Sequence, residues 1–114
     1  MIKIDKNNMI MLSRGDARVV MCRFTNPNMA PEDGTIAVVS LKRDYNDKDC
    51  IWEKKYYIID GRFDIIFSRE DTINLLNDVT YWYDIQILYP DGARWTMIEP
   101  TKFKVLGVVG DAGH

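Results

Sequence analysis

Asp60 and Gly61 stand alone between two β-prone runs, Ile51 to Ile59 and Arg62 to Phe67. A two-residue Asp-Gly link between β-prone runs is among the strongest hairpin signals a sequence offers. The expectation is an antiparallel hairpin. In its second strand Phe63, Ile65 and Phe67 alternate with Arg62, Asp64 and Ile66, which points the aromatic set inward.

The same alternation of short β-prone runs and turn formers recurs along the chain. Met1 to Asp5 reads as an edge strand, and Met9 to Leu12 and Ala17 to Phe24 as strands parted by the turn formers Ser13-Arg14-Gly15-Asp16. Two prolines and a glycine make Asn26 to Gly34 a loop. Thr35 to Lys42 follows, with Ile36, Ala37, Val38, Val39 and Leu41 apolar on both faces, the pattern of a central strand covered on two sides. After the polar loop Arg43 to Asp49 and the hairpin, Ser68-Arg69-Glu70-Asp71 resembles a helix start, with Ser68 as cap and acids in the first turn. One or two turns closed by Asn77 are expected. Thr80 to Tyr89 is the clearest strand, with Tyr81, Tyr83, Ile85, Ile87 and Tyr89 on one face. Pro90-Asp91-Gly92 turns it back into Ala93 to Ile98, and Lys102 to Val109 follows a break at Glu99-Pro100. Many short strands at this spacing imply a sandwich or barrel.

With 114 residues, 46% of them hydrophobic and 28% charged, the chain can bury one core unaided. Residues 1–109 are expected to form one β-sandwich domain and 110–114 a flexible tail. The 15 basic and 17 acidic residues are interspersed and leave a formal charge of -2. No basic stripe for nucleic acid emerges: Lys54-Lys55 follow Glu53 in an alternating strand and read as solvated lysines. Met1-Ile2-Lys3-Ile4-Asp5 lacks the apolar run of a signal peptide, and no stretch approaches the roughly 20 apolar residues of a membrane span. Cys22 and Cys50 are therefore expected as reduced thiols.

The residues for common chemistry are missing. The one histidine, His114, lies at the tail, which leaves a serine or cysteine nucleophile without its usual base. Two cysteines and one histidine at unrelated spacings do not build a zinc site. In the acidic loop, Asp44 and Asn46 suit calcium, but Lys48 falls where the third ligand is needed. Seventeen acids allow many carboxylate pairs, yet nothing selects one. No catalytic, cofactor or metal-binding residue is assigned, and the chain reads as a non-enzyme. Arg14-Gly15-Asp16 reads as a turn in which glycine makes the bend. The candidate interaction surface is aromatic: Trp52, Trp82, Tyr89 and Trp95, with Trp82 and Trp95 the best candidates for exposed rings that stack on a sugar.

Leu12-Ser13-Arg14-Gly15-Asp16-Ala17, the turn Asp71-Thr72 with Leu75 and Leu76, the strand Tyr81-Trp82-Tyr83-Asp84-Ile85-Gln86-Ile87 and a closing hairpin together resemble a recurrent phage domain. The pattern is similar to small immunoglobulin-like domains of phage and prophage tail and baseplate proteins, notably the N-terminal domain of the baseplate upper protein. It covers roughly Met9 to Val109. The resemblance implies an immunoglobulin-like antiparallel β-sandwich that docks a receptor-binding arm onto the tail hub. It further implies a virion location, assembly in the host cytoplasm, and partners among other virion proteins or copies of itself. This chain stops where such proteins often continue into a linker, so a small accessory protein of the tail, neck or capsid surface is the alternative. A carbohydrate-binding module that contacts a bacterial surface is the other. Tyr81 is the candidate for the tyrosine corner found in this fold class.

Overall fold

The computed structural model describes residues 2–4, 7–25, 28 and 30–107. The expected tail, Val108 and Val109 of the last expected strand, and Asn26, Pro27 and Met29 of the loop lie outside the described residues. Eight strands and one helical turn follow in order: β1 Ile2–Ile4, β2 Ile10–Ser13, β3 Arg18–Arg23, β4 Ile36–Lys42, β5 Trp52–Tyr57, β6 Arg62–Phe67, α1 Arg69–Thr72, β7 Thr80–Leu88 and β8 Arg94–Leu106. They divide into a six-stranded sheet, β1-β2-β8-β7-β4-β5, and a two-stranded sheet, β3-β6. The all-β sandwich is the fold. In the large sheet β8, β7, β4 and β5 lie side by side, and the β3-β6 pair forms the other layer. One pairing departs from the antiparallel expectation: β2 runs parallel to β8, Ile10 opposite Phe103 and Leu12 opposite Val105.

The Asp60-Gly61 turn forms, but the hairpin does not. Both residues take positive φ, 57° and 71°. Ile59 and Arg62 close the turn with reciprocal backbone bonds, Ile59 N–H to Arg62 O at 3.0 Å and Arg62 N–H to Ile59 O at 3.2 Å. Beyond that bridge the strands part, β5 to pair with β4 and β6 with β3. The cause is burial. Their apolar sets cover one another best face to face across a core: Tyr56 stacks on Phe63 at 6.4 Å, and Trp52 meets Phe67 edge-on at 6.1 Å. Tyr56 also takes over part of the lost ladder. Its hydroxyl accepts from Ile66 N–H at 3.1 Å and donates to Ile66 O at 3.4 Å.

The two expected strands Ala93 to Ile98 and Lys102 to Val109 are one strand, β8. Against β7, Ile85 faces Ile98 and Tyr83 faces Thr101, so Glu99 and Pro100 together oppose Asp84. This is a bulge. Proline has no N–H to give a ladder, and a bulge is a place in a sheet where none is required. On β4, Ala37, Val39 and Leu41 face the core, while Val38 is 2% exposed on the outer face. Among the described residues no second layer covers Val38. It sits in register between Lys55 and Gln86, whose long side chains flank it.

The helical turn is as short as its sequence implies. Asp71 accepts the Ser68 backbone N–H at 2.7 Å, the reciprocal half of a capping box, and the helix ends at Thr72. The left-handed residue that follows is Asp78, φ 60°, and not Asn77. Gly15, φ 81°, makes the expected turn and donates its N–H to Thr72 Oγ1 at 2.8 Å. The segment after α1 is held by Tyr81, whose hydroxyl accepts the Leu76 N–H at 2.9 Å and whose ring is buried in the core. That is the tyrosine corner. Tyr81→Phe keeps the ring and strands the Leu76 N–H, so chemical denaturation should show a loss of about 1–3 kcal/mol with an unchanged m-value.

Candidate interaction surfaces

The aromatic residues singled out in the sequence do not assemble into one platform. Trp52 belongs to the sandwich: it contacts Phe67 and Phe103 edge-on and donates its indole N–H to Asp71 O at 3.1 Å. Trp82 lies on the outer face of the large sheet, half-buried, with the Tyr45 ring 5.2 Å away. Trp95 pairs with the inward-facing Ile87 and so lies on the opposite face, at the loop end. There its indole N–H donates to the Tyr89 hydroxyl, and Phe24 packs edge-on at 6.1 Å. Beside this trio is a cavity of about 510 Å³ whose walls include Pro31, Glu32, Thr35, Tyr89 and Asp91. Thr35 Oγ1 is buried and has no hydrogen-bond partner among the described residues.

A second surface was not singled out from the sequence. The outer face of the β3-β6 sheet carries Val19, Met21 and Ile66, which are 57%, 84% and 54% exposed. Val19 and Ile66 are direct cross-strand partners. The clue was present in the run Val19-Val20-Met21-Cys22, apolar on both faces of a strand that packs only one face against the core. At the far end of this sheet Arg23 faces Arg62, both exposed, with Asp64 opposite Met21. Like charges directly opposite are unfavourable.

Between the sheets, on the β3 side, lies an apolar groove of about 290 Å³ with Ile10, Val20, Cys22, Ile65, Tyr83, Met97 and Ile98 in its walls. The Tyr83 hydroxyl donates to the Asn8 carbonyl and fixes the rim of the groove. Burial, aided by the Asp64 carboxylate, pushes the Cys22 thiol up to about 11, so it stays protonated and slow as a nucleophile at neutral pH. Cys22 and Cys50 are both free thiols.

No protein-family model and no curated protein sequence matches the chain. Among the described residues, no group of three histidine, cysteine or acidic side chains is placed to hold a metal ion. In the acidic loop, the Asp47 carboxylate accepts the Asp44 N–H at 3.0 Å and Asp44 pairs with Arg43 at 3.2 Å. Among the described residues, no helix is long and apolar enough to cross a membrane.

One charge on the outer face of the large sheet works against the fold. Asp84 is 8% exposed and opposite Ser40 on β4, with Glu53 one strand further on. Burial holds its carboxyl above the ordinary 3.8; Lys42 opposes that shift and Glu53 adds to it. The folded state thus binds this proton more tightly than the unfolded chain, and the carboxylate costs stability at pH values above the folded pKa. The cost fades as pH falls toward 3.8. Asp84→Asn should raise the denaturation midpoint at pH 7 and give a smaller gain at about pH 3.5, as read from denaturant titrations at both pH values.

Proposed function

We propose that this chain is a non-enzymatic structural module of a phage or prophage virion, which docks onto other virion proteins through its two-stranded sheet. The observation that supports the reading best is the uncovered apolar face of Val19, Met21 and Ile66 on the smallest sheet of the sandwich. A two-stranded sheet is the least self-sufficient element of such a fold, and an apolar cluster on its outer side gains from a partner. The phage resemblance of the Arg14-Gly15-Asp16 turn and the Tyr81 to Ile87 strand supplies the class of partner.

Particles purified on a density gradient from an induced lysate of the source cells should carry the chain at particle density in an immunoblot. Its absence from every particle fraction would overturn the virion reading. Met21→Asp, at a position 84% exposed, should leave the denaturation midpoint within about 0.5 kcal/mol of the parent while the chain is lost from the particle fraction.

A second reading, binding of a surface carbohydrate, is favoured by the Trp95, Tyr89 and Phe24 cluster beside the loop-end cavity. Aromatic rings with adjacent carboxylate and hydroxyl groups are suited to a polyhydroxylated ligand. A glycan array probed with the parent and with Trp95→Ala tests it: binding lost in the variant supports a sugar site, and no binding by the parent removes it.

A further inference from the structure

A sheet of two strands has two outer edges, and here they differ. The outer edge of β6 is occupied at Ile66, where the Tyr56 hydroxyl meets both backbone groups. The outer edge of β3 pairs with no strand among the described residues. The apolar groove runs along that edge. Four consecutive β3 residues, Val20, Met21, Cys22 and Arg23, line it. An opening over a strand's face meets alternate residues, so a consecutive run marks one along its flank. In the immunoglobulin arrangement that the sequence resembles, strand A fills the place beside strand B, the place that corresponds here to the one beside β3. In this chain the N-terminal strand β1 instead pairs with β2 in the other sheet, and no strand among the described residues fills the place beside β3.

We propose that this slot receives an extended segment of a different protein, which adds a strand to β3 and sends alternate apolar side chains into the groove between the sheets. The proposal rests on the docking reading above and specifies its partner. Main-chain bonds to an open edge supply affinity in this mode of recognition, and alternate side chains in pockets supply selectivity.

Charge decides the occupant. Arg18 and Arg23 stand at the two ends of β3, and Arg23 faces Arg62 across the sheet. A second copy laid antiparallel along β3 about a two-fold axis sets Val19 opposite Arg23, or Cys22 opposite Arg18, and puts no carboxylate opposite these arginines. An apolar segment flanked by acidic residues does the reverse and places a carboxylate against the Arg23 and Arg62 pair. The fitting partner is therefore an extended acidic-flanked apolar strand of another chain.

The test uses a fluorescein-labelled peptide Glu-Val-Thr-Val-Thr-Val-Glu and its counterpart with lysine at both ends, read by anisotropy against the full chain. The glutamate peptide should bind about tenfold or more tightly than the lysine peptide. Cys22→Phe, which fills the groove, should weaken it by a similar factor. So should the surface pair Arg23→Glu with Arg62→Glu, which tests the proposal even where Cys22→Phe fails to fold. Hydrogen exchange of β3 amides should slow with the glutamate peptide bound. Equal binding of both peptides, or no binding up to about 1 mM, would overturn the proposal. Loss of particle docking by Met21→Asp together with absent peptide binding leaves docking through the sheet face and removes strand addition; retained docking with peptide binding does the reverse.

Discussion

Phe103 is where the two sheets meet. Its ring touches Phe67 of the small sheet at 5.8 Å and, within the large sheet, Trp52 at 6.4 Å and Tyr83 at 6.3 Å. Phe67 and Phe103 are almost fully buried, and burying rings of this size contributes about 1.5–3 kcal/mol each. A sheet of two strands does not persist alone, so β3 and β6 owe their place to this contact and to Phe63 and Ile65 beside it. The same contact explains the split of the expected hairpin. Phe67 cannot lie over Phe103 while β6 remains paired beside β5.

Much of the fold was legible because it depends on local signals. The turn at Asp60-Gly61, the glycine bend at Gly15, the brief helix after Ser68 and the alternation of Thr80 to Leu88 are all set within a few residues. The structure departs from the sequence reading where distant segments decide. Nothing in Met9 to Leu12 announces a parallel partner, and nothing in Lys102 to Val109 requires it. Glu99-Pro100 reads locally as a break, yet the continuing ladder on either side holds β8 together through a bulge.

The binding surfaces were less legible for a related reason. Tryptophans draw attention by their size, but size also makes them core material, as Trp52 illustrates. The more telling signal was a modest one: valine, methionine and isoleucine on the face of a strand that has no layer above it. Whether such residues are core or surface depends on how many layers the fold builds, which a strand's own pattern does not state. Asp84 belongs to the same class. Asp84 lies between Ser40 of β4 and the Glu99-Pro100 bulge of β8, both distant in sequence.

The parallel pairing of β2 with β8 has a consequence for the order of assembly. Ile10 and Leu12 find their ladder partners, Phe103 and Val105, only after nearly all the described chain has been made. While the ribosome is still adding the middle of the protein, β1 and β2 have no sheet to join, because β8, which links β2 to the rest of the large sheet, is not yet made. Closure of the sandwich is therefore a late, non-local event, of the kind that slows folding and leaves apolar strands open in the interim. A nascent chain of this design spends its vulnerable period with its first strands waiting on its last.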